Sequence, residues 1–366
     1  MQGADTDTVA AALERGDPLP GTGGFAGELD GSLVRDVLGR YPLFVERRVA
    51  DGNAGAVSPA AWSHDPTALA DPRSFPAGHI RDDSGTRQRW SLPSPEPFGD
   101  CETAIERVRT AVETSVDAVE TAGLAIAFSG GVDSALLAAR LDVPLYVAGF
   151  PDSHDVEAAR SAANLLGTEV RVVELTHDAI ERAVPEIARA TGRTNAMAVQ
   201  IALPLYLVAE QVAADGFDRL ALGQGADELF GGYAKVAKAP EDPRVEADTV
   251  RGAQQEVIAS LPDQLERDVL ALRAAGVEPV TPLLHDRVVD AALRLDGDLL
   301  VDGETRKVAL RAAARGSLPE EIASRDKKAA QYGSLAAREL DRLARQAGYK
   351  RRMDDHVTQY VESLVQ

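Results

Sequence analysis

Two glycine-rich stretches hold the residues whose types and spacing fit a recognisable chemistry. The first is Leu124-Ala-Ile-Ala-Phe-Ser-Gly-Gly-Val-Asp-Ser134. An apolar run from Leu124 to Phe128 enters a turn of Ser129, Gly130 and Gly131, and Ser134-Ala-Leu-Leu-Ala-Ala-Arg140 then reads as helix. Adjacent glycines let backbone N–H groups point into one concavity, and the start of the helix adds the positive end of its dipole. Ser129 and Ser134 supply hydroxyl donors and Asp133 a carboxylate suited to a divalent cation, so the segment reads as a cradle for pyrophosphate. It is shorter than a Walker loop, and no Gly-Lys-Ser/Thr follows it. The plainer alternative is a tight strand–helix connection with incidental glycines.

The second stretch, Leu222-Gly-Gln-Gly-Ala-Asp-Glu-Leu-Phe-Gly-Gly-Tyr233, comes about ninety residues later and follows another short apolar run. Gly223, Gly225, Gly231 and Gly232 bring backbone close to a ligand, and Asp227 and Glu228 add acidic oxygens. Magnesium takes one or two protein carboxylates together with phosphate oxygens. Asp133 and Asp227, one from each loop, fit that pair; the alternative for Asp227 is a helix cap.

The elements that must position these loops alternate. Strand-like runs at 124–128, 145–150, 170–175 and 219–222 are separated by helical patterns at 155–166, 178–190 and 199–214. That order predicts a parallel sheet covered on both faces, with ligands beyond the carboxyl ends of its strands. Ahead of it, Ile105, Val108, Val112, Val116 and Val119 recur at helical steps. Residues 22–95, rich in Gly, Pro and Asp, suggest small strands and turns, 96–101 a linker, and 262–343 mostly helix. The expected class is α/β. Its organisation is a flexible start (1–21), a small β-rich region (22–97), the parallel-sheet domain with a helical C-terminal part (98–345) and a tail (346–366).

Composition narrows the partners. The formal net charge is −19, and six of the 39 basic residues are Lys: Lys235, Lys238, Lys307, Lys327, Lys328 and Lys350. A uniformly acidic, lysine-poor surface suits a cytoplasm of very high salt, where repulsion is screened within about 3 Å at 1 M. It argues against nucleic-acid binding through a basic face. A single cysteine, Cys101, excludes an internal disulfide and a multi-cysteine metal site. No 18-residue apolar run or apolar leader is evident, so neither a membrane span nor a signal peptide is expected.

Ser129-Gly-Gly-Val-Asp-Ser134 resembles the PP-loop of ATP pyrophosphatases, enzymes of the adenine nucleotide alpha hydrolase-like fold that adenylate a substrate and release pyrophosphate. Taken with Gly223–Tyr233, it resembles the synthetase domain of the asparagine synthetases and the related β-lactam synthetases, over roughly 102–335. The family's second motif reads Gly-Glu-Gly-Ala-Asp-Glu-Leu-Phe-Gly-Gly-Tyr, and this chain departs from it only at Gln224. The resemblance implies that Ser129, Gly130, Gly131 and Ser134 bind pyrophosphate and that Asp133 and Asp227 hold Mg2+. It implies that Gly223 and Gly225 line the nucleotide site, and that Val147 and Gly149, in the strand ending at Phe150, read the adenine of ATP by backbone.

It also implies catalytic groups. A third stretch reads Leu318-Pro-Glu-Glu-Ile-Ala-Ser-Arg-Asp-Lys-Lys-Ala-Ala-Gln-Tyr-Gly333. Aligning Arg325 with the family's Arg places Lys327 on the family lysine that stabilises the transition state of amide formation, with Lys328 next to it. Two lysines on a solvated helix are the alternative. Lys307 matches a family lysine near the phosphates, an exposed helical Lys being equally plausible from sequence. Glu278 matches the acidic residue beside the reacting amine, where a carboxylate takes a proton from ammonium. That match is partial: Val280 replaces the family's Arg and His285 the Asp closing its Pro-Phe-Leu-Asp run, which leaves the acyl substrate open.

The front region follows the order of motifs in the family's glutamine-hydrolysing domain, at 24–31, 35–44 and 76–79, in reduced form. Gln2 stands where that domain has its nucleophilic cysteine, and an amide cannot be the nucleophile. The region is expected to be an inactive amidotransferase-like domain. The resemblance as a whole implies a ligase that adenylates a carboxylate, most simply the aspartate side chain, and passes ammonia to it. The same fold acting on another acid and amine, lactams included, stays open, as does a non-catalytic nucleotide-binding regulator. Its partners would be small molecules, with a separate glutaminase open as nitrogen source and no nucleic acid or membrane.

Overall fold

The computed structural model describes residues 1–51, 58–239, 242, 246–325 and 335–365. Two compact units are present, and neither is continuous in sequence: one comprises Met1–Ala118, Gln224–Glu266 and Thr281–Ala313, the other Val119–Gly223, Arg267–Val280 and Ala314–Gln366. The chain crosses from one to the other after Gly223, inside the second glycine motif.

The second unit is built on a five-stranded sheet, in the order Val170–Glu174, Leu145–Gly149, Leu124–Ala127, Arg219–Ala221, Glu278–Val280. Every pairing is parallel, with Ile126 opposite Leu145, Val172 opposite Val147, Ala221 opposite Ile126 and Ala221 opposite Val280. Its central strands are apolar on both faces, as a sheet covered by helices on each side requires. Beneath one face, Ala125, Tyr146, Ala148 and Leu220 share a core with Val199, Leu203, Tyr206 and Val212 of the helix Ala196–Ala214. That helix is long and apolar enough to cross a membrane by composition, contrary to the expectation of no such run; 56% of the window is buried inside the fold.

The end of the chain also departs from expectation. Residues 346–366 are not simply a tail: helix His356–Val365 places Val357, Tyr360 and Val361 in the same core, beside Leu340 and Leu343 of helix Ala336–Gln346. The apolar residues of 356–365 recur at helical spacing, which is what lets so short a segment bury one face.

In the first unit, residues 6–15, expected to be flexible, form a helix. The Asp5 carboxylate accepts from the Thr8 N–H at 2.8 Å, and Gly16 closes the C-terminus at φ 68°. A side-chain cap at one end and a left-handed glycine at the other satisfy terminal backbone groups, and Val9 and Ala12 pack on Phe25, Val34, Ile80 and Trp90. The β-rich region is a four-stranded antiparallel sheet, Ala26–Leu29, Ser32–Arg35, His79–Asp82 and Gly85–Gln88 in that order, with a smaller three-stranded one. Asp30 and Gly31, at φ 49° and 80°, make the two-residue turn that such a pair favours between the first two strands.

This front region does not stand apart from the segments that follow the second glycine motif. Arg40, buried, reaches Asp36 at 2.8 Å, Asp286 at 2.7 Å and the Leu284 carbonyl at 2.8 Å. Arg35 reaches Glu266 at 3.4 Å, and Ser74 donates to the same carboxylate at 2.5 Å. Buried guanidinium groups are held only where carboxylates and carbonyls surround them, so residues 22–97 and the segments 224–266 and 281–313 form one body.

Candidate active site

The cradle lies in the parallel-sheet unit. The buried strand Leu124–Ala127 and Phe128 bring the chain to the carboxyl edge of the sheet, where the Phe128 N–H donates to the Tyr146 carbonyl at 2.6 Å. Gly130 then adopts φ 73°, and a Cβ built there would lie 2.5 Å from the Ala158 carbonyl oxygen. Backbone blocks the position, so only glycine fits. Gly131 caps the helix Val132–Ala138. The Ser134 hydroxyl donates to the Gly131 carbonyl and accepts from the Ser129 N–H, both at 3.3 Å, which draws the turn into a closed hoop over the helix start. Asp133 is buried in the first turn of that helix, where the dipole favours a carboxylate.

Gly223, the first glycine of the second motif, follows the neighbouring strand at the same edge and packs on Asp133: a Cβ at Gly223 would fall 2.7 Å from the Asp133 Cβ. Val147 and Gly149 are buried in the adjacent strand. Gly149 is needed for packing, since a Cβ there would overlap the Ser153 hydroxyl and come within 2.8 Å of Val156, and its carbonyl accepts from the Leu175 N–H at 3.1 Å.

Arg325, which serves in the sequence only to fix register, has a structural place of its own. Its guanidinium donates to the Ala158 carbonyl at 2.9 Å and to the Ser161 hydroxyl at 3.0 Å. The same carbonyl is the wall behind Gly130. Lys327 and Lys328 lie outside the described residues.

Glu278 is not brought to this edge. It opens the edge strand, level with Arg219 and Leu124 at the amino ends of their strands. Its side chain is 58% exposed and pairs with Arg273 at 3.0 Å. The turn at Gly276, φ 93°, ends the preceding helical stretch and starts the strand almost at once, so the carboxylate emerges at the edge opposite the cradle. The residue expected as general base is therefore placed at the amino edge of the sheet and paired with Arg273.

The other unit holds the remainder of the second motif. Gly225, at φ 95°, turns the chain into the short helix Ala226–Leu229, with Leu284 filling the space a Cβ would need. Lys307 follows the hairpin Val301–Asp302 and Thr305–Arg306, and its ammonium lies 2.7 Å from Asp227 Oδ1. Its side chain is only 9% exposed, against 44% for Asp227. From sequence alone Lys307 stood open between a solvated helical position and the site; it is buried, paired, and outside helix. Arg306 donates to the Gly232 carbonyl at 2.7 Å, and a Cβ at Gly232 would overlap the Asp227 carboxylate and meet Lys307 Cε at 2.5 Å.

Glu228, next to Asp227, is a structural group that the motif alone did not single out. Burial and then the Asp227 charge push its carboxyl up, and it accepts from the Tyr233 hydroxyl at 2.6 Å. His285 is the N-cap of helix Asp286–Leu293, accepting from the Arg287 N–H at 3.3 Å. Burial, with Arg287 adding, pushes it down to about 4, so the ring is neutral.

These residues fit the groups the motifs imply. The cradle rejects any side chain at Gly130, and the Lys307 ammonium already stands as a cation on Asp227. Among the described residues no cluster of three or more His, Cys, Asp or Glu groups is placed to hold a metal on its own, so an ion held by these carboxylates would need phosphate oxygens as well.

Comparison with known proteins decides the family. The asparagine synthase family model matches residues 106–260 and 240–363. The chain belongs to the asparagine synthase family. Among curated members it is 30% identical over 274 residues to the putative asparagine synthetase [glutamine-hydrolyzing] 1 of Methanocaldococcus jannaschii, covering 65% of this chain and 50% of that one. It is 27% identical over 249 residues to asparagine synthetase B [glutamine-hydrolyzing] of Escherichia coli, covering 62% and 44%. The chain thus spans about half the length of these relatives. Among solved structures, NMN synthetase from Francisella tularensis overlaps 72% of this chain and 92% of its own at 13% identity and TM-score 0.34, too loose a likeness to bear on chemistry.

Proposed function

We propose that this family member is an ATP-dependent amide-forming ligase. A substrate carboxylate, most simply that of the aspartate side chain, attacks the α-phosphorus of ATP and pyrophosphate leaves. Ammonia then attacks the acyl carbon, AMP departs, and the nitrogen loses a proton to give asparagine or a related amide. The observation that carries this reading is the cradle: a serine- and glycine-built turn on a helix start, walled by backbone at Gly130, suits a departing pyrophosphate.

Ser129, Gly130, Gly131 and Ser134 would hold that pyrophosphate, and Val147 and Gly149 would flank the adenine. Asp133 and Asp227 would hold Mg2+, which neutralises phosphate charge when bound. Lys307 would face the phosphates, and Lys327 would offset the charge that develops as AMP leaves, with Lys328 its neighbour. Glu278, at the amino edge of its strand and paired with Arg273, is given no part in the step we propose. The position of His285 as a neutral cap supports a second possibility for the acyl substrate only, an acid other than aspartate, because the family's Asp is replaced there.

The nitrogen donor we propose is free ammonium, or ammonia from a separate glutaminase. The one cysteine, Cys101, is exposed at the start of helix Cys101–Asp117. Gln2 is paired by backbone to Ala26, its N–H donating at 2.8 Å. The test is product analysis with ATP, aspartate and either ammonium or glutamine. Asparagine and AMP from ammonium, with no glutamate released from glutamine, is the expected result. Glutamate released at a rate matching AMP would overturn the nitrogen assignment, and no amide from any acid offered would overturn the ligase reading.

A further inference from the structure

We propose that Lys307 is a resident counter-ion for Asp227, which keeps a free divalent cation off that carboxylate and gives way only when the ion arrives with nucleotide phosphates. This rests on the ligase reading for the identity of the nucleotide. The geometry that points to it belongs to Lys307 itself. The residue sits at φ 59°, in the left-handed region that a side-chain-bearing residue seldom enters. The hairpin before it and the Arg306 bond to the Gly232 carbonyl, 2.7 Å, hold the backbone in that state. The result is a lysine aimed inward, 9% exposed, with its Nζ 2.7 Å from Asp227 Oδ1 and its Cε laid over Gly232.

A buried ammonium is stable only beside an opposite charge. Asp227 supplies that charge at contact distance, while Glu228, one residue on, feels the Lys307 charge and accepts from the Tyr233 hydroxyl. An aqueous cation reaching the half-exposed Asp227 would therefore meet a positive charge a few ångströms away, in surroundings of low dielectric. A triphosphate changes the balance, because its oxygens accept charge-assisted hydrogen bonds from the ammonium as the carboxylate turns to the metal. Loading would then be coupled: nucleotide and ion bind together, and neither the ion nor the empty carboxylate persists alone.

The experiment uses Mn2+ as the probe, its binding to the full chain read by electron paramagnetic resonance with and without ATP. Wild type is expected to bind Mn2+ weakly alone and strongly with ATP. Lys307→Met should bind Mn2+ without nucleotide about tenfold more tightly or better than wild type, and adding Asp227→Asn should remove that gain. Lys307→Gly gives the same readout while relieving the left-handed backbone, which guards against a variant that fails to fold. Equal nucleotide-free affinity in wild type and both Lys307 variants would overturn the counter-ion role. Absence of Mn2+-ATP binding in wild type would instead overturn the ligase reading, so the two failures are distinguishable.

Discussion

The two glycine loops are close relatives in composition and opposites in construction. Ser129–Ser134 is made by backbone: its shape follows from a left-handed glycine against a carbonyl, a helix start and two serines bonded across the turn. Gln224–Tyr233 is made by charge: Asp227 is held by Lys307, about eighty residues further along, and Glu228 by Tyr233. A backbone-built loop keeps its form in any medium, whereas a charge-built one depends on partners that a ligand, a salt or a mutation can exchange. One loop is a fixed receptacle, and the other is where binding has something to switch.

The comparison breaks most visibly at the carboxylates. Asp133→Asn should reduce pyrophosphate release by about a thousandfold, the size of losses seen when charge stabilisation is removed from a reacting centre, with the fold unchanged by circular dichroism. Asp227→Asn should lose comparable activity and also lower the melting temperature, because it takes away the carboxylate 2.7 Å from a buried ammonium. Near-normal turnover of Asp133→Asn at limiting magnesium would remove the metal assignment.

The lysines past Arg325 come next. Lys327→Ala should lower turnover roughly 100- to 1000-fold with little change in ATP affinity, since the charge it meets appears only in the transition state. A larger loss in Lys328→Ala would move the role one residue along. Arg325→Ala, which removes the bonds to the Ala158 carbonyl and Ser161 hydroxyl behind Gly130, should lower turnover about tenfold, an effect on positioning that steady-state kinetics would read.

The glycines sharpen the contrast at smaller scale. Gly130→Ala puts a Cβ against a carbonyl and a side chain in the left-handed region, at a cost of about 1–3 kcal/mol. Gly225→Ala also places a side chain at positive φ, 95°, but its Cβ meets Leu284 side-chain carbons, at 2.5 Å, and these can move. Denaturant melts should therefore show the larger loss at Gly130, and the reverse order would mean that the cradle is not rigid. Smallest is the effect of salt. Raising KCl from about 0.1 M to about 1 M shortens the screening length from about 10 Å to about 3 Å, and with a net charge of −19 the melting temperature should rise. Nucleotide affinity of the cradle should change less than the Mn2+ affinity of Lys307→Met.

Much of this was legible in the chain for a physical reason. The parallel sheet announced itself because short apolar runs buried on both faces alternate with helical periodicity, and the cradle because six consecutive residues make its whole shape. What local pattern cannot carry is long-range partnership. Lys307 stood open between a solvated helical position and the site because its burial depends on a hairpin and on Gly232, far from it in sequence. Glu278 looked catalytic from its neighbours, but strand register decides at which edge a residue emerges, and it emerges at the amino edge. Residues 1–21 looked weakly structured because the helix at 6–15 owes its place to Phe25 and Trp90 rather than to a strong pattern of its own. Lys327 and Lys328 lie outside the described residues, so their roles rest on resemblance.

Reversible adenylation at the cradle is the central claim. The direct measurement is exchange of labelled pyrophosphate into ATP, with Mg2+ present and aspartate or other acids supplied one at a time, in wild type and in Asp133→Asn. The expected result is exchange that requires aspartate, or a related acid in its place, and that disappears in Asp133→Asn. A wild-type chain that binds ATP yet exchanges no pyrophosphate with any acid would contradict it.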